Sequence, residues 1–319
     1  MAHQHTHSIG KRPPRKTSVG TDIMRILITG VNGQVGWALK QLAGQFQQHT
    51  LIALERHDLD ITCRDAVNQT IAKSNVGIVI NAAAYTAVDK AEDNAESAFN
   101  INRDGVNNLA SSCLNADIPL LHISTDYVFN GKKTSPYIET DAPNPLGIYG
   151  HSKLAGEQVI AEQLNRFIII RTSWVFGLHG QNFVKTILRL CQDRRELNMI
   201  ADQFGAPTSA TSIAHCLLQI CEQYDNDIAI PWGLYHLTNT PDTSWHGFAC
   251  KIIDLAQKYN LIDHEIKVNK ITSEQYPLPC ARPQNSCLDK DKITKQLSIT
   301  LTPWEEELET MLMTLSQQL

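Results

Sequence analysis

Short runs of β-branched and aliphatic residues, separated by stretches with helical spacing, constrain this chain more than any other feature. Arg25 to Thr29 reads as a strand and Gln34 to Leu42 as a helix; Leu51 to Leu54 is a second strand, Arg64 to Lys73 a helix, and Gly77 to Ile80 a third strand. A long helix is predicted from Ala95 to Asn115, then strands at Pro119 to Ile123 and Phe167 to Arg171. Runs this apolar from end to end are buried on both faces, as strands are in a parallel sheet covered by helices. The rhythm predicts an α/β fold: a doubly wound, Rossmann-like parallel sheet.

Beyond Arg171 the rhythm loosens. A helix is expected near Asn182 to Cys191, a Gly- and Pro-containing turn at Asp202 to Pro207, a helix from Ser209 to Tyr224, and a last helix near Pro303, where a first-turn proline loses no hydrogen bond. Pro277, Pro279 and Pro283 interrupt the approach to it. The 319 residues suit one large or two modest domains. The expected division is a disordered tail or cloning remnant at 1–23, a dinucleotide-binding domain at 24–175, and a smaller α/β substrate lobe at 176–319 with some return of chain to the first domain.

Charge narrows the function classes. The net charge is −5, yet the tail holds Lys11, Arg12, Arg15 and Lys16 against Asp22, so the remainder carries about −8. That surface lacks the electrostatic footprint of a nucleic-acid binder. His3, His5 and His7 allow metal capture by the tail, or simply mark a disordered segment. No apolar run reaches bilayer-spanning length, so no membrane partner is expected. Eight scattered cysteines without a CxxC pair fit buried thiols in a reducing compartment, and the expected location is the cytoplasm.

Gly30-Val31-Asn32-Gly33-Gln34-Val35-Gly36 follows the first strand and opens the first helix. Backbone N–H groups and the helix dipole there attract an anion, and glycines let a pyrophosphate approach closely. The GxxGxxG spacing differs from the usual GxGxxG, and such turns also arise for steric reasons, but its position after the first strand favours a dinucleotide, with nicotinamide the expected kind. The end of the second strand sends mixed signals: Glu55 suits a free ribose 2′-hydroxyl and Arg56 a 2′-phosphate, and either residue also suits a solvated surface. NADPH is favoured and NADH allowed. Asp60 and Ile61 either flank the adenine or, for Asp60, cap a helix.

Tyr149 and Lys153, at i and i+4, are neighbours on a helix face. An adjacent ammonium stabilises phenolate and is expected to bring the phenol toward a useful proton affinity. Ser124-Thr125-Asp126-Tyr127 follows the fourth strand, at the end where sheet ligands bind. Thr125 either hydrogen-bonds a carbonyl oxygen together with Tyr149 or caps a turn.

These blocks resemble the extended short-chain dehydrogenase/reductase superfamily and, within it, the dTDP-4-dehydrorhamnose reductases. The resemblance runs from Met24 nearly to the C-terminus through GVNGQVGWAL, NAAAYTAVDKAE, STDYVF, IYGHSKLAGE, RTSWVFG, DQFGAPT and ARPQNSCLD, in order. It implies reduction of the C4 keto group of a dTDP-linked 4-keto-6-deoxyhexose, with Tyr149 as proton donor, Lys153 lowering its pKa and holding the nicotinamide ribose, and Thr125 at the carbonyl oxygen. Ala82, Ala83 and Ala84 would line the cofactor ribose. Val88, Asp126, Tyr127, Trp174, Asn182, Gln203 and Arg282 would meet the sugar nucleotide. Taken alone, Trp174 and Arg282 equally suit a core indole and a solvated loop.

Some members resembling this chain hold magnesium between subunits through glutamates. Here the stretch Asp193-Arg194-Arg195-Glu196 mixes in two arginines, so no metal site is assigned. A homodimer is compatible with the resemblance. Competing readings are a non-catalytic, cofactor-binding regulatory subunit, and a reductase or epimerase of another nucleotide sugar.

Overall fold

In the computed structural model, which describes residues 23–277 and 280–318, successive side chains of β1 (Met24–Thr29) alternate between two faces. Ile26 and Ile28 enter one apolar core and Leu27 another, all three fully buried. Burial of each such side chain contributes about 1.5–3 kcal/mol, which is why this strand lies inside the sheet. The sheet order is β2 (His49–Leu54), β1, β3 (Ile78–Asn81), β4 (Leu120–Thr125), β5 (Phe167–Thr172) and β6 (Gly233–His236), all parallel. The chain leaves β1 to one side for β2 and comes back on the other for β3. The carboxyl ends of β1 and β3 therefore flank a topological switch point, where doubly wound sheets form their ligand crevice.

Helix α1 (Gln34–Leu42) covers the Ile26 face, while α2 (Arg64–Ser74), α3 (Val106–Ala116) and α4 (Ile148–Gln163) cover the Leu27 face. The later chain opens with α5 (Phe183–Asp193), and α6 (Ala210–Asp225) then turns back to lie beside α1. With β6, α6 makes residues beyond 200 part of the first core. Helices α7 (Trp245–Lys258) and α8 (Trp304–Ser316) join α5 around a separate cluster that includes Phe176, Phe248 and Trp304. A parallel pair, Glu196–Ile200 with Lys267–Ile271, borders it.

Two local expectations change. The stretch predicted as one helix from Ala95 is interrupted by a π-helical segment at Asn100–Gly105. There the fully buried Asn102 accepts from Tyr85 N (2.9 Å) and donates to Tyr85 O and Ser152 Oγ (both 3.0 Å), so the widened turn satisfies a half-buried backbone pair beside the cleft. Ser124 and Thr125, expected after the fourth strand, are its last two residues, because the ladder with β5 continues through Ser124–Arg171 and Thr125–Thr172. The tail histidines and Pro279 lie outside the described residues. Among the described residues no helix is long and apolar enough to cross a membrane.

Candidate active site

The turn after β1 is shaped by steric necessity at two glycines. Gly30 has φ +71°, and a Cβ there would lie 2.5 Å from Ala83 N; at Gly36 it would lie 2.3 Å from Gly30 O. Gly33 differs in degree: a Cβ there would meet only Gly30 O, at 3.3 Å, a tight contact and not the overlap found at Gly30 and Gly36. Its bare backbone borders two cavities, and it begins α1 with no side-chain cap on the N-terminal N–H groups. An uncapped helix start with open space before it fits a pyrophosphate.

One cavity, of about 170 Å³, is lined by Gly30, Gly33, Arg56, Asp60, Ile61 and the alanines 82–84. Asp60 accepts from Thr62 N (3.0 Å) and Oγ1 (2.8 Å) and pairs with Arg56 at 3.4 Å. Its carboxyl is lowered below the ordinary range: burial opposes this, and the Thr62 bonds and the Arg56 charge outweigh it. Glu55 accepts from Asn32 Nδ2 at 2.8 Å.

The larger cleft, about 580 Å³, runs from Gly33, Gln34 and Val35 past Ala82, Ala84 and Val88 to Thr125, Asp126, Tyr127, Tyr149, Lys153 and Trp174. The three residues expected to carry the chemistry thus share one space with the glycine turn, delivered by β4 and α4. The Thr125 hydroxyl donates to Asp126 Oδ1 (2.9 Å) and accepts from Tyr127 N (3.2 Å), and it lines the same cleft as the Tyr149 phenol. Tyr127 stands edge-on to Tyr149, with ring centroids 5.6 Å apart.

The electrostatics correct one expectation. Lys153 was expected to lower the proton affinity of Tyr149, but burial pushes the phenol up to about 12, with Asp126 adding to the rise and the Thr125 hydroxyl opposing it. The physical reason is direction: the Lys153 amine turns to Ile123 O (2.7 Å) and His122 Nε2 (3.1 Å). Burial also draws Lys153 down to about 8, against Glu157, and lifts Asp126 to about 6 against hydrogen bonds from Ser286 and Thr125. Beneath the cleft Glu157 accepts from Ser124 Oγ (2.5 Å) and pairs with Arg171 (2.6 Å), locking α4 to β4 and β5.

A model of the RmlD substrate binding domain matches residues 24–317. The dTDP-4-dehydrorhamnose reductase of Aggregatibacter actinomycetemcomitans is 42% identical over 284 residues, covering 89% of this chain and 97% of that protein. The chain belongs to the dTDP-4-dehydrorhamnose reductase family. The Escherichia coli K12 member is 39% identical over 296 residues, covering 91% of this chain and 97% of its own. Among solved structures, the Bacillus anthracis reductase in complex with NADP superposes with a TM-score of 0.82 at 35% identity, covering 91% of this chain and 99% of that one.

In this family member the residues expected at the sugar nucleotide fall into two groups. Trp174 lines the cleft in an unusual left-handed conformation (φ +48°), stacked on Trp245 at 3.6 Å. Gly205, in the DQFGAPT block, allows this, since a Cβ there would lie 2.8 Å from the indole. Val88 and Tyr127 also face the cleft. Asn182, Gln203 and Arg282 are committed to the protein itself. Asn182 caps α5 and donates to Gln34 Oε1 (3.0 Å), so it holds a cleft residue. Gln203 donates to Ser273 Oγ (3.0 Å), and Arg282 pairs with Asp89 (2.7 Å) over the Tyr127 ring. Glu196 is held by Lys267 and Asn269. Sequence reasoning missed Thr172 and Ser173, which line the cleft at the end of β5; the rule that ligands gather at strand carboxyl ends would have found them.

Proposed function

We propose that this protein reduces the C4 keto group of dTDP-4-dehydro-β-L-rhamnose to dTDP-β-L-rhamnose with NADPH, in the cytoplasmic synthesis of deoxysugar precursors for surface polysaccharide. The observation that carries the reading is the convergence of Thr125, Tyr149 and Lys153 on a cleft that begins at Gly33, in a chain of this family. A bound nicotinamide would supply hydride. Gly30, Gly33 and the start of α1 would hold its pyrophosphate, the alanines 82–84 its ribose, and Arg56 the 2′-phosphate.

The remaining work belongs to the chain's own side chains. A phenol held near 12 stays protonated at neutral pH, as a proton donor must, and still gives its proton to an alkoxide, a far stronger base. As Tyr149 loses that proton, the Thr125 hydroxyl can turn its hydrogen from Asp126 to the phenolate, so the developing charge meets a donor already in place. Trp174 and Val88 offer apolar surface to the sugar. The free thiols support the cytoplasmic placement.

The test is NADPH oxidation with the keto sugar generated in situ by the preceding enzymes, followed by product identification. Formation of dTDP-β-L-rhamnose is expected. Tight NADPH binding without turnover would replace this reading with a regulatory subunit, and turnover only of a different nucleotide sugar would replace it with a related reductase or epimerase.

A further inference from the structure

Behind the cleft, Lys153 ends on a buried polar chain with a defined direction. Its Nζ lies 3.1 Å from His122 Nε2, and the other ring nitrogen, Nδ1, lies 2.9 Å from Asn81 Nδ2. The orientation of that amide is dictated by its far end, where the oxygen receives Ala83 N–H at 3.1 Å and the Thr29 hydroxyl at 2.6 Å. A backbone N–H can only donate, so the amide NH2 faces the ring and Nδ1 carries the lone pair. A neutral imidazole with a bare Nδ1 bears its hydrogen on Nε2. That N–H points at the lysine nitrogen. Against an ammonium it is donor facing donor; against a neutral amine it makes a hydrogen bond. Thr29, Asn81, His122 and Lys153 are each at most 2% exposed, so water does not relieve the conflict.

We propose that Asn81 and His122 form a positioning relay for the reduction: the amide sets the ring tautomer, and the Nε2–H end of the ring favours the neutral amine of Lys153 over its ammonium. The relay depends on the reductase reading for its purpose, although the tautomer belongs to the free enzyme. Burial acts in the same sense on Lys153 and holds the ring far below its ordinary range, so a doubly protonated ring, which would oppose Asn81 with a second donor, is not its resting form. The other titratable groups around the amine are Glu157 and Tyr149 on its own helix and Asp126 after β4; Arg171 of β5 is occupied by Glu157. Of these, Glu157 favours the ammonium, and the Ile123 carbonyl accepts from either form of the amine. Burial lowers the proton affinity of Lys153, and the Nε2–H end of His122 acts in the same direction, so Lys153 becomes a group that changes charge near working pH instead of a permanent cation.

Two measurements test this on the full chain. Nitrogen-15 NMR of histidine-labelled enzyme without cofactor reads the ring directly, and the Nε2–H tautomer is expected from pH 6 to pH 9. NADPH affinity against pH, followed by cofactor fluorescence, reads Lys153, and the expected curve weakens as the amine loses its proton near pH 8. Asn81→Asp presents an acceptor to Nδ1, reverses the tautomer and makes Nε2 accept from the ammonium; the midpoint should move alkaline by about one pH unit, or tenfold in proton affinity. His122→Phe should move it the same way without adding charge. An Nδ1–H or doubly protonated ring in the unaltered enzyme, or a midpoint unmoved in both variants, overturns the relay. An Nε2–H ring with shifted midpoints, in an enzyme that reduces no keto sugar, would leave the relay standing and remove the reductase reading.

Discussion

The two cavities that meet at Gly33 hold charge in opposite ways. At the smaller cavity, Arg56 and Asp60 pair across 3.4 Å with side chains 76% and 39% exposed. Around the larger one, Lys153, Asp126, His122 and Glu157 are at most 5% exposed. An exposed pair is screened and worth at most about 1 kcal/mol, so exchanging it should have little effect on the rest of the protein. Of these, burial displaces Lys153, Asp126 and His122 from their ordinary proton affinities, and hydrogen bonds and charge link buried groups to one another, so a change to one is felt by its neighbours. On the proposed reading, specificity between related cofactors would sit where the protein tolerates change, and proton chemistry where it does not.

The largest effect that would break this contrast is expected from Tyr149→Phe. Loss of the phenol should lower kcat by about 10²–10⁴-fold and leave NADPH affinity near that of the parent enzyme, measured by steady-state kinetics and cofactor fluorescence. Near-normal turnover would take Tyr149 out of the mechanism. Asp126→Asn comes next, read as stability against pH. The Asp126 carboxyl is raised in the fold from 3.8 to about 6, so its contribution is fully present below pH 4 and is lost as pH rises through about 6. Replacing it with an amide should therefore stabilise the fold at pH 7, relative to pH 4, by on the order of 2–3 kcal/mol. Urea unfolding at the two pH values measures this, and an equal effect at both would mean that Asp126 titrates normally. The smallest effect belongs to the exposed pair: Arg56→Ala should raise KM for NADPH about fivefold, in line with one surface phosphate contact, and leave KM for NADH unchanged. Equal changes for both cofactors would deny Arg56 the 2′-phosphate.

Elements whose cause is local were legible in advance. Helix α1 spans the expected Gln34 to Leu42, and β1 falls on the expected apolar run with one added residue, because burial on both faces leaves a sequence pattern that needs no knowledge of neighbours. The glycine turn was legible for the same reason. Illegible features depend on a partner far along the chain. The π-helical segment exists because Asn102 finds Tyr85 and Ser152, and the last residues of β4 are strand because β5 lies alongside. Likewise, Asn182 and Gln203 were expected to face a ligand, yet their hydrogen bonds run to Gln34 and Ser273.

Residue order alone settled the strand–helix alternation, the glycine turn that opens α1 and the i, i+4 placement of Tyr149 and Lys153, since each follows from backbone geometry over a few residues. Folding had to decide where the Lys153 amine points and how tightly Tyr149 holds its proton. Those depend on desolvation and on groups from separate strands, His122 on β4 and, through it, Asn81 on β3. Proton affinity is a property of surroundings, and the surroundings of a buried side chain are assembled only when distant segments pack.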